Sequence, residues 1–124
     1  MNKLNKCNVG DVICWLEYDY EINRWDTIIG SVYEIGEAGS CKYGDIESYR
    51  CDNMIYDPEM SYVPNGLVLQ YEAWPIAHYN LSILYRDILN NTITLTLKQL
   101  QEIAKIVGQD EELISDFGNV EVRR

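Results

Sequence analysis

The sequence predicts an α+β fold, with an N-terminal antiparallel sheet or partial barrel followed by two short C-terminal helices. Apolar residues alternate with a period of two in the first third of the chain. Stripes at helical spacing appear only late, and glycines punctuate the middle. The chain has 124 residues, 47% of them hydrophobic. That suits one compact domain, residues 1–124, large enough to bury a core without staples.

Asp11 to Tyr18 alternates cleanly. Val12, Cys14, Leu16 and Tyr18 share one face, and Ile13, Trp15 and Glu17 the other. The polar stretch Asp19 to Arg24 turns the chain, and Trp25 to Ile35 makes a second strand. Gly30 inside it marks a bulge or a close backbone approach. The opening Val9-Gly10-Asp11-Val12, followed by Gly30-Ser31-Val32, resembles the first strands of small SH3-like barrels. That resemblance implies architecture and carries no function.

From Gly36 to Asn65 polar residues dominate, and two readings compete. One has short strands at Ile46 to Cys51 and Met54 to Tyr56; the other is a long irregular insertion. Pro64-Asn65-Gly66 is a turn signal, Leu67 to Glu72 reads as a strand, and Trp74-Pro75 forces extended backbone at the tryptophan. Leu81, Leu84, Tyr85 and Ile88 share one helical face, with Asn80 the expected cap and Asn90-Asn91 the end. Thr92 to Thr96 alternates as a strand. Leu97 to Val107 is the clearest helix, with Thr96 and Gln99 at capping-box spacing and Gly108 as its stop. Asp110 would cap a short last helix that buries Leu113, Ile114 and Phe117, and Val120 and Val122 suit an edge strand.

Composition excludes several chemistries. The net charge of −10 disfavours direct nucleic-acid binding, and the late helix pair is itself acidic where a recognition helix needs the opposite sign. No phosphate-binding loop, dinucleotide fingerprint or nucleophile elbow is present. Asp19-Tyr20-Glu21-Ile22-Asn23 has the alternating oxygens of a calcium loop, but Arg24 and Gly30 stand where glycine and a bidentate carboxylate are required. It reads as a hairpin turn. His78 is the one imidazole, so any Ser-His or Cys-His nucleophile would depend on it. Cys7, Cys14, Cys41 and Cys51 contain no Cys-x-x-Cys pair and are expected to be inert thiols in a cytoplasmic protein, because no signal-peptide apolar region follows Lys3 and Lys6. Neither a cofactor nor a metal nor enzymatic activity is expected, and no membrane association.

What remains is an acidic, tyrosine-rich character. Ten tyrosines stand against one phenylalanine, which is unusual for rings that only fill a core. Tyrosine offers stiff contact area with a polar tip, and carboxylates among such rings steer a basic partner. The expected contact residues are Tyr43, Asp45, Glu47, Tyr49, Asp52, Tyr56, Asp57 and Glu59. The competing reading makes the same mixture a solvated sheet face.

The favoured function is a small acidic inhibitor or adaptor that docks on a basic, nucleic-acid-binding protein. In size, charge and lack of catalytic motifs the chain is similar to phage-encoded inhibitors of the anti-CRISPR type. It is similar in the same respects to immunity proteins that neutralise nuclease toxins, which is the first alternative. The second alternative is a small enzyme or ligand-binding domain using scattered carboxylates with His78. A structural subunit of a larger assembly is the third, for which no heptad seam is present.

Overall fold

A computed structural model describes residues 6–41 and 44–90, together with Lys98, Gln99 and Glu102, which are helical and exposed. Among the described residues, β1 (Val12–Asp19), β2 (Arg24–Cys41), β3 (Gly44–Ile55), β4 (Leu67–Leu69) and β5 (Trp74–Pro75) form one antiparallel sheet in the order β4-β3-β2-β1-β5. One helix, α1 (Tyr79–Leu89), packs against it. The α+β expectation holds at this level. The expected strand at 92–96, the last helix and the edge strand at Val120 and Val122 lie outside the described residues, as does the helix at 97–107 apart from those three helical positions.

β1 explains why the sheet needs cover on both sides. Ile13, Cys14, Trp15 and Leu16 are consecutive and all buried. Alternation sends Cys14 and Leu16 to one face, where they pack with Trp74, Tyr85 and Ile88 under α1. It sends Ile13 and Trp15 to the other, among Ile28, Val32, Tyr49, Cys51 and Val68. The two expected faces of β1 are therefore two cores.

β2 serves both halves of the sheet. Its stretch from Arg24 to Ser31 pairs with β1, and that from Ile29 to Cys41 pairs with β3, with register breaks at Ile29/Ser31, Val32/Glu34 and Glu37/Gly39. Gly30 sits at the changeover. A Cβ there would lie 2.9 Å from Trp15 Cη2 and 3.0 Å from Cys51 Cβ, so the bulge and the close approach expected at Gly30 both occur. Such a bulge bends the strand and raises its twist.

The edges then come together. β4 and β5 are opposite edges of the sheet, yet only Gln70 to Ala73 separates them, most of it a 3-10 turn, Gln70–Glu72. At about 2 Å of rise per residue in that turn and about 3.3 Å outside it, the connection spans roughly 13 Å. A flat sheet of five strands would hold its edges about 19 Å apart. The sheet must curl, with Trp15 and Tyr49 on the inner face. The strand expected over Leu67 to Glu72 therefore stops at Leu69, and the buried Gln70 side chain accepts the Glu47 N–H at 2.9 Å instead of continuing a ladder.

The stretch from Gly36 to Asn65 is neither two short strands nor an irregular insertion. β3 runs unbroken through Asn53, which takes the left-handed conformation (φ 50°) that asparagine tolerates. The expected cap of α1 is also corrected. A second 3-10 turn, Ile76–His78, runs straight into the helix, so His78 is the N-cap and Asn80 lies inside the first turn. Asn90 does end the helix, and its side-chain amide clamps β2 by accepting the Trp25 N–H at 2.8 Å and donating to the Trp25 carbonyl at 3.0 Å. Among the described residues no helix is long and apolar enough to cross a membrane.

Thr27 carries the one buried side-chain polar atom without a partner among the described residues. Its hydroxyl was desolvated on folding with nothing gained in return. Thr27→Val keeps the shape and removes that cost, so we expect a gain of about 1 kcal/mol in urea unfolding. A loss of stability would show that the hydroxyl is bonded in solution.

Candidate functional site

The tip of the β1–β2 hairpin and the segment 56–63 that follows β3 are fastened into one surface. Asp19 makes the first fastening. It ends β1, is fully buried, and turns its carboxylate both to its own turn and across the chain. Oδ1 accepts the N–H of Glu21 at 3.1 Å and of Ile22 at 3.4 Å, an Asx-type closure of the turn, and the Ser61 hydroxyl at 2.6 Å. Oδ2 accepts the Ser61 N–H at 2.7 Å. Burial alone would raise the Asp19 pKa, but these bonds, with Ser61 foremost, hold it below the usual aspartate value.

Arg24, the first residue of β2, makes the second fastening. Its guanidinium meets Asp26 at 3.1 Å, Asp57 at 3.2 Å and Glu59 at 3.4 Å. The Asp26 carboxyl is raised by its burial, with Arg24 opposing. Asn23 turns the chain into Arg24 at φ 51°. The calcium-like run at Asp19 is thus a hairpin turn, as its missing ligands imply.

Aromatic rings stand on this frame. Tyr18 meets Tyr20 edge-on at 4.8 Å and Trp25 at 5.3 Å. Tyr20 is 83% exposed, yet it is propped by its neighbour. A trough of about 430 Å³ is lined by Tyr56, Pro58, Met60, Ser61, Tyr62 and Val63. The Tyr62 phenol is pushed up to about 12 by partial burial, and then by the negative field of Glu17, Asp19 and Asp26. Glu17 accepts the Trp15 indole N–H at 3.3 Å, and Glu72 accepts the Leu69 N–H at 3.1 Å. Burial raises both carboxyls, and for Glu17 the charge of Glu72 adds to it.

No family model, curated protein or solved structure matches this chain.

The expected contact residues do not form one patch. Tyr43 lies outside the described residues. Asp45 and Asp52 are exposed on β3. Tyr49 is a core residue at 0% exposure, and its hydroxyl accepts the Cys7 N–H and donates to Glu47, so it has no surface to offer. Tyr56 is half-buried against the same inner core, and the Glu47 carboxylate accepts the Tyr49 hydroxyl while its N–H donates to Gln70. Tyr56, in the lining of the trough, and Asp57 and Glu59, through Arg24, join the hairpin surface.

Sequence reasoning missed Tyr20, Tyr62, Glu17 and Ser61. Tyr20-Glu21 in the polar turn was a usable signal, since both are exposed at the hairpin tip. Nothing in the sequence pointed to Ser61. Cys14 and Cys51 are free thiols raised to about 11 by burial, and Cys7 is free and half-buried. His78 occupies the turn before α1. Among the described residues no group of three His, Cys, Asp or Glu is placed to hold a metal ion.

Proposed function

We propose that this chain is a small acidic inhibitor or adaptor, built on an SH3-like barrel, that docks on the basic surface of a nucleic-acid-binding protein. The barrel reading is supported by the strand order, by the bend of β2 at Gly30 and by the 3-10 turn joining the two sheet edges. The function rests on one observation: exposed rings at Tyr20 and Tyr62 and carboxylates at Glu17, Glu21, Asp57 and Glu59 share the hairpin surface. Rings supply rigid contact area, and carboxylates beside them raise the association rate with a cationic partner. The three free thiols among the described residues suit a reducing cytoplasm.

Retention of partners from a cell extract at low and moderate salt tests this reading. A cationic nucleic-acid-binding protein should be held at low salt and released as salt rises. Glu21→Lys with Glu59→Lys should abolish retention, whereas Asp45→Lys with Asp52→Lys should weaken it less. Retention that is indifferent to both pairs and to salt would overturn the proposal.

A further inference from the structure

Resting on that docking reading, the trough along residues 56–63 carries a more specific inference about what the partner presents. The main-chain donors of residues 58–61 are already spent. Pro58 has none, the Glu59 N–H donates to Asp57 Oδ1 at 2.9 Å, the Met60 N–H to the Asp57 carbonyl at 3.0 Å and the Ser61 N–H to Asp19 Oδ2 at 2.7 Å. A partner strand laid along 58–61 would find no N–H to join, so recognition along that stretch falls to side chains.

Those side chains have a consistent chemistry. Tyr62 is 38% and Val63 71% exposed, and Tyr20 and Tyr62 each follow directly on a member of the bonded pair Asp19 and Ser61. Glu59, between the lining residues Pro58 and Met60, is exposed and shares the Arg24 guanidinium; Glu21 is exposed and its N–H shares the Asp19 carboxylate with Ser61; and Glu17 adds to the negative field at Tyr62. Ring faces, the apolar groups of Pro58, Met60 and Val63 and the carboxylates nearby together fit a chain that brings its own cations.

We propose that the trough takes an extended, disordered basic segment of the partner, in which arginine or lysine alternates with proline or an aliphatic residue. Proline contributes no N–H to be left unpaired and loses little freedom on binding. The cations lie over Tyr20 and Tyr62 and reach the carboxylates, while the residues between them cover Val63 and Pro58. At about 430 Å³ and open to one side, the trough suits successive side chains of a linear segment better than an enclosed metabolite.

The test titrates the whole chain with three probes: a synthetic peptide alternating arginine with proline, the same peptide with glutamate for arginine, and cytochrome c as a folded cationic protein. The basic peptide should bind and shift backbone amide signals of residues 56–63, and the acidic one should not bind. Tyr62→Ala and Tyr20→Ser should each weaken binding about tenfold, as central aromatic contacts do. Tyr20→Ser changes a ring so exposed that it tests the site even if Tyr62→Ala disturbs the fold. If cytochrome c binds and the basic peptide does not, the inference falls while the acidic docking surface stands. If neither binds, both fall. Peptide binding that is equal in both tyrosine variants reports bulk charge alone and also overturns the inference.

Discussion

Gly66→Ala should destabilise the protein by about 3 kcal/mol, far more than the same change at Gly10. Both glycines are left-handed, Gly66 at φ 76° and Gly10 at φ +97°, so each alanine suffers strain of about 1–2 kcal/mol. The surroundings separate them. A Cβ on Gly10 meets nothing, whereas one on Gly66 runs into the Cys51 carbonyl oxygen. That oxygen cannot retreat easily. Cys51 belongs to β3, its side chain is buried, and its N–H donates to the Gly66 carbonyl at 2.8 Å. Overpacking against fixed neighbours adds roughly 1–3 kcal/mol. Urea unfolding of the two variants measures the difference directly. Equal losses would mean that the β3–β4 connection is looser than this pair of backbones implies. Gly66 also follows the segment 56–63, so its replacement should loosen the trough and lower affinity for any ligand there.

The two ends of β2 show what the sequence made legible and what it hid. Alternation named the faces of β1 correctly because both are buried and both are apolar. Gly30 was readable because a glycine inside an apolar strand has few other reasons to be there. β3 was hidden for the opposite cause. Its buried residues Ile46, Tyr49 and Cys51 stand among the exposed Asp45, Arg50, Asp52 and Asn53, so a strand partly open to water reads as loop. The early end of β4 had no local signal, since it follows from the need to join two sheet edges. Tyrosines divide between core and surface. Tyr49 keeps its hydroxyl for buried hydrogen bonds, which composition cannot distinguish from display. The rings on display, Tyr20 and Tyr62, are brought together by the Asp19–Ser61 contact across 42 residues of sequence.

That contact yields the other large effect. Asp19→Ala should release the segment 56–63, because it removes every acceptor that ties Ser61, Glu21 and Ile22 to the carboxylate and leaves their donors short of partners. Amide exchange in 56–63 should accelerate well before global unfolding, and peptide binding in the trough should be lost with it. Ser61→Ala should have a smaller effect, since it removes the 2.6 Å hydroxyl bond and spares the main-chain ones. Asp19→Asn tests the charge itself. The native carboxyl lies below the usual aspartate value of about 4, so its contribution is complete above that pH and is lost as the pH falls through the folded value. Glu17, Glu72 and Asp26 act in the opposite sense. Their carboxyls are raised by burial, so they favour the fold most at low pH and progressively less as the pH rises through their folded values. Stability should therefore improve modestly from neutral to mildly acidic conditions and then drop below about pH 4 as Asp19 is protonated. In Asp19→Asn the mild improvement should persist while the steep acid limb flattens. An acid limb as steep in Asp19→Asn as in the native chain would show that this carboxylate does not hold the surface together.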